Sequence, residues 1–192
     1  MAGLIERSRE VKVGDPLDED TKVGAIISAE HLAKIKGHLT AAVQAGAKLR
    51  LGGERLVSSG LFMAPTVVDE VGPDMRIASD EVFGPVVTVL SFETADEAVA
   101  LANQPAYGLS ASVWSRDIDT VTCIGRKLRA GTVWANTFMD GTPELPFGGY
   151  SNPGLGANSA AMPLPTTPRK RPSTFTAVRA RVGGLGRTTG QA

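Results

Sequence analysis

The stretch Val86-Val87-Thr88-Val89-Leu90-Ser91-Phe92 restricts what this chain can fold into more than any other. It is apolar or β-branched at nearly every position, the pattern of a strand covered on both faces by other layers of a parallel sheet protein. The segments around it follow the same logic. Thr94-Ala95-Asp96-Glu97 is a capping box, in which a hydroxyl and a carboxylate serve free backbone donors, so a short helix runs to about Asn103. Residues 109–114 return as a strand. Residues 117–129 read as a helix with Ile118, Val121, Ile124 and Leu128 inward and Gly131 ending it, and residues 132–136 form another strand. Upstream, Ser28 is the N-cap of a helix from Ala29 to about Ala45, with Leu32, Ile35, Leu39 and Val43 on one stripe and Gly46 as its stop. Residues 48–51 and 62–68 are extended. Strands alternating with helices predict an α/β fold, a parallel sheet with flanking helices and right-handed crossovers.

Composition narrows the class. The 192 residues suit one ordinary domain, or one domain with an appendage. Only 5% are aromatic against 42% hydrophobic, which points to aliphatic packing rather than an aromatic-rich β-sandwich. No apolar stretch approaches the ~20 residues of a membrane helix, and charges interrupt the first residues where a secretion signal would be apolar. A cytoplasmic protein is expected. The single cysteine, Cys123, agrees with a reducing compartment.

The net charge of zero hides a split. Residues 157–192 carry Arg169, Lys170, Arg171, Arg179, Arg181 and Arg187 and no acid, together with four prolines. Such a segment buries too little apolar area to offset its ordering entropy, so a disordered tail is expected. A basic arm for acidic partners or nucleic acid is the alternative, without the interleaved aromatics that stack on bases.

Chemistry concentrates in two places. In Ser79-Asp80-Glu81-Val82-Phe83-Gly84-Pro85, a carboxylate stands two residues before an aromatic ring at the mouth of the buried strand. Glu81 there suits ligand hydroxyls and Phe83 a flat ligand face; taken alone, the same residues also suit a turn with a solvated acid and a core ring. The second place is the loop of residues 137–156, rich in Gly and Pro, following Asn136 and containing Phe147, with the composition of either a binding loop or a structural one. No Gly-x-Gly-x-x-Gly and no Gly-Lys-Ser/Thr phosphate loop is present. His31 and His38 share one helix at a spacing of seven, too far apart to pair on a metal and expected at its surface. Cys123 falls in the middle of a helix with Arg126 and Lys127 following, and lacks a nearby histidine and free backbone donors, so it is not expected to be a nucleophile.

Four ordered motifs carry a resemblance: Ile77 to Val86, Tyr107-Gly108-Leu109, Ala130 to Asn136, and Pro146-Phe147-Gly148-Gly149-Tyr150. In this order they resemble the C-terminal part of the catalytic domain of NAD(P)-dependent aldehyde dehydrogenases, over residues 6–156, with features close to betaine aldehyde enzymes. The resemblance implies that Glu81 holds the nicotinamide ribose hydroxyls of NAD or NADP and that Phe83 lies against the nicotinamide ring. It places Asn136 and Phe147 by the aldehyde pocket, with Gly141 where several members carry an aromatic wall. It implies oxidation of an aldehyde to a carboxylic acid through a cysteine thiohemiacetal and thioester, with hydride passing to the cofactor.

In the family the nucleophilic cysteine and the Rossmann-like domain precede the position matching Met1. Residues 1–156 are therefore expected to be a partial catalytic domain, with no catalytic residue and no metal site of its own and catalytically incompetent alone. Read one base out of phase, the codons for residues 156–184 can spell an Arg-Glu-led tail of the family's kind, so a frameshift is expected to have created the basic tail. Family members are homo-oligomers that use a terminal strand, and that strand is expected to be lost here, leaving a sheet edge unpaired.

Overall fold

The computed structural model describes residues 1–56 and 60–140, and the backbone of residues 176–180. Phe147, Gly141 and most of the basic tail lie outside the described residues.

Two α-helices come first, α1 (Ala2–Arg9) and α2 (Ala29–Gln44). Ser28 caps α2, its Oγ accepting from the His31 amide at 3.0 Å. At the other end Gly46 takes φ 103, and the Ala47 amide reaches back to the Ala42 carbonyl at 2.9 Å, the Schellman closure that only a residue without Cβ enters freely. Leu32, Ile35 and Leu39 are buried as expected, but the stripe ends on Ala42 rather than Val43, which is 48% exposed. A straight helix gains about 100° per residue, so position 42 stays over the sheet and position 43 turns away from it.

Strand β1 (Lys48–Leu51) runs antiparallel to β2 (Thr66–Asp69). A one-turn helix, α3 (Arg76–Ser79), which sequence periodicity is too short to reveal, leads through the Glu81 turn into β3 (Val86–Phe92). Every residue of β2 is buried, and it pairs in parallel with β3, with Thr66 opposite Val86. Helix α2 covers this sheet, and Ile35 is fully buried among Met63, Val68, Ile77, Val82 and Leu90.

Helix α4 (Ala95–Asn103) begins at Thr94, whose hydroxyl accepts from the Glu97 amide at 3.2 Å. The returning carboxylate of Glu97 takes the Glu93 amide at 2.7 Å, one residue before the cap itself. Strands β4 (Ser110–Val113) and β5 (Thr132–Ala135) pair in parallel as a separate two-stranded sheet, joined by α5 (Ile118–Lys127). In α5 the buried face starts at Val121; Ile118, expected inward, is 68% exposed because it occupies the first helical position, ahead of the turn that contacts the sheet. Lys127 ties α5 to Asp96 of α4 at 2.7 Å, and Asn103 bridges the same helices through the Lys127 carbonyl and the Arg129 amide.

Thr176–Ala180 form strand β6, parallel to β3, completing a four-stranded sheet in the order β1-β2-β3-β6. The pairing gives partners to the backbone donors and acceptors on that edge of β3. Among the described residues, no helix is long and apolar enough to cross a membrane.

Candidate functional site

The turn from Asp80 to Pro85 is built by the elements on either side of it. Arg76, in α3, reaches Asp80 at 2.9 Å and holds the start of the turn. Val82 is buried in the core and anchors its middle. Phe83 between them adopts φ 51, a left-handed conformation that is costly for a bulky residue, and its side chain is 70% exposed. Gly84 follows with its α-carbon against α2; a Cβ there would come within 2.7 Å of the Ile35 Cδ1. The absence of a side chain lets the turn lie directly on that helix.

His31 secures the conformation. Its Nε2 donates to the Phe83 carbonyl at 2.7 Å, across 52 residues of sequence. Ser28, by capping α2, fixes the turn of helix that carries His31. His31 keeps the surface placement on α2 that was expected, and the hydrogen bond gives that position a further task. No local pattern signals this contact, since the partner is a backbone carbonyl far away in sequence. His38, two turns further along α2, makes no such link among the described residues; burial lowers its pKa, opposed by the charge of Asp80.

Glu81 is half-buried, and among the described residues its carboxylate has no hydrogen-bond or ion-pair partner. A free carboxylate beside an exposed ring, both on a clamped turn, offers acceptors for hydroxyls next to a flat apolar face.

Asn136 lies elsewhere, directly after β5, with φ 53. Its Oδ1 accepts from the Ser115 amide at 2.9 Å and its Nδ2 donates to the Ser115 carbonyl at 2.8 Å. Both ends of the amide are thus engaged in fastening the β4–α5 connection to the end of β5. Trp134 and Phe138 pack edge to face beside it, centroids 5.5 Å apart, and the Trp134 Nε1 donates to the Asp140 carbonyl at 3.2 Å. Phe147 lies outside the described residues. Cys123 is exposed in α5.

Residues 1–164 match the aldehyde dehydrogenase family. The chain belongs to that family. It is 40% identical over 160 residues to betaine aldehyde dehydrogenase of Bacillus subtilis (strain 168), covering 81% of this chain and 33% of that one. It is 42% identical over 169 residues to fluoroacetaldehyde dehydrogenase of Streptantibioticus cattleyicolor, covering 85% of this chain and 33% of the relative. Among solved structures, the NAD-dependent aldehyde dehydrogenase from Sinorhizobium meliloti superimposes with a TM-score of 0.79 at 53% identity, over 83% of this chain and 32% of the other. Betaine aldehyde dehydrogenase from Staphylococcus aureus in complex with NAD+ gives 0.78 at 41% identity, over 83% and 33%. This aldehyde dehydrogenase family chain therefore spans about a third of the length of the relatives it matches.

Proposed function

We propose that the Glu81–Phe83 turn forms the nicotinamide-riboside wall of an NAD(P)-dependent oxidation of an aldehyde to a carboxylic acid. The observation that carries this reading is the Glu81 carboxylate, without a partner among the described residues, two residues from the exposed Phe83 ring on a turn clamped by His31. These residues fit the group: the carboxylate accepts from ribose hydroxyls, and the ring covers one face of the nicotinamide and keeps water from it. When bound, the cofactor supplies the hydride acceptor. Family membership and the NAD+ complex of a relative at 41% identity support the assignment.

Asn136 contributes by position rather than by touching substrate. With both amide ends committed to Ser115, it sets the direction in which the chain leaves β5 for the loop that contains Phe147, the residue we assign to the aldehyde pocket.

Saturation-transfer NMR of the 192-residue chain with NAD+ tests the reading. Transfer from the Phe83 ring to the nicotinamide protons is expected. Glu81→Gln should weaken NAD+ binding about 10-fold, the loss of a hydrogen bond to a charged acceptor. Equal affinity for both chains would sink the assignment of Glu81.

A further inference from the structure

Asn103 and Gln104 close helix α4, and their side chains take partners in two different parts of the chain. The Gln104 Nε2 donates to the Pro73 carbonyl at 2.9 Å. Pro73 sits in the turn that opens α3, where the Met75 amide donates to the Gly72 carbonyl at 3.1 Å and the Gly72 amide to the Met75 sulfur at 3.4 Å. From Met75 the chain enters α3, and the Asp80 amide returns to the Arg76 carbonyl at 2.8 Å. A continuously hydrogen-bonded piece of chain thus runs from Pro73 to the Glu81 turn.

Asn103 reaches the other side. Its Nδ2 donates to the Lys127 carbonyl at 2.9 Å, its Oδ1 accepts from the Arg129 amide at 2.7 Å, and the Arg129 guanidinium donates to the Asn103 carbonyl at 2.7 Å. Lys127 ends α5, and the chain passes from there into β5, which Asn136 follows. The Glu81 turn feeds β3 of one sheet and Asn136 ends a strand of the other. Two neighbouring residues therefore fasten one helix end to the approach of each. Between reacting groups, a misplacement of about 1 Å can cost about 100-fold in rate.

We infer that Asn103 and Gln104 are positioning residues, a joint that sets the distance between the Glu81–Phe83 turn and the Asn136 end of β5 without touching cofactor or aldehyde. What the two sides bind rests on the function proposed above; the joint is measured without a ligand. Asn103 is half-buried and engages both ends of its amide, whereas Gln104 is exposed and its bond competes with water. Asn103 is thus the stronger half of the joint.

Distances between two spin labels in the 192-residue chain test this. One label takes the native Cys123, exposed in α5, and the other Lys36→Cys, exposed on α2, the helix that holds the Phe83 turn through His31. Gln104→Met keeps the length and loses the donor, Gln104→Lys keeps a donor, and Asn103→Leu loses both ends of the amide. Gln104→Met is expected to broaden the distance distribution about two-fold and Asn103→Leu to broaden it further, while Gln104→Lys restores the narrow one. The resonances of the Gly84 amide and the Asn136 side-chain amide should stay in place, because each side keeps its own hydrogen bonds. A role in stability alone would lower the urea midpoint and leave the distribution narrow. That result would overturn the proposal, as would a Gln104→Lys chain as broad as Gln104→Met. Should Asn103→Leu unfold, the two Gln104 variants decide. Absence of NAD+ binding by the unsubstituted chain, with the distances behaving as expected, would count against the cofactor reading and leave the joint standing.

Discussion

Phe83 stands in a left-handed conformation that costs a bulky residue of order 1–3 kcal/mol unless its surroundings compensate. The His31 hydrogen bond to its carbonyl is the compensating contact, made from the first turn of α2. His31→Ala should therefore lower stability by about 1 kcal/mol, read from urea midpoints. The same variant should free the Phe83 backbone, visible as a shift of the Gly84 amide resonance. Gly52 illustrates the opposite case, a residue that nothing can replace. It takes φ 70, and an added Cβ would collide with the Pro65 carbonyl oxygen. Because that obstacle is backbone, it cannot step aside. Gly52→Ala is expected to cost about 2–3 kcal/mol in the same measurement, more than His31→Ala.

Helix ends account for much of what holds the elements in place. Asp117 caps α5, its carboxylate accepting from the Asp119 and Thr120 amides at 3.1 and 3.2 Å and from the Thr120 hydroxyl. The Thr120 hydroxyl first, and the two amides after it, hold its pKa below the ordinary 3.8. A carboxyl whose folded pKa is depressed contributes stability that is present above its unfolded value and lost as pH falls through the folded one. Protection of the first α5 amides should thus be constant above about pH 5 and fall as the pH drops below 3.8. In Asp117→Asn that dependence should flatten, as hydrogen exchange across the acid range would reveal. The caps at Ser28 and Thr94 work by the same donors, and both were legible because a hydroxyl directly before an apolar-periodic run has few other uses. The stripes were less so at their ends. Val43 and Ile118 fit the helical period yet lie outside the packed turns, because period says which residues share a face and not how far the neighbouring sheet extends.

At the scale of the molecule, the proposed reading makes this chain one wall of a nicotinamide pocket, in a chain that spans about a third of its relatives' length. Cys123 is exposed in the middle of α5, where the helix's own ladder takes the backbone donors. The purified 192-residue chain, mixed with NAD+ and a panel of aliphatic and aromatic aldehydes, is expected to form no NADH above background. Turnover abolished by Cys123→Ser would reverse that view. The two sheets also differ in how much supports them. The β1-β2-β3 layer is backed by α2 and the main core, whereas β4-β5 is two strands with α5 upon them. Two-stranded sheets are marginal alone. Amides of β4 and β5 should therefore exchange faster than those of β2, a difference that a single hydrogen-exchange time course would expose.

The α/β class, the parallel β2-β3 and β4-β5 pairs and the caps were determined by the sequence alone, because burial period and capping chemistry are local properties of the chain. The basic tail looked unable to order itself, judged by composition. Tertiary structure decided which backbone lies along the second edge of β3, where Thr176–Ala180 pair with it in parallel. It also decided the parts of His31 and Asn136. Both act by hydrogen bonding to backbone far along the chain, and a backbone carbonyl or amide carries no signature in the sequence that could announce which side chain will find it.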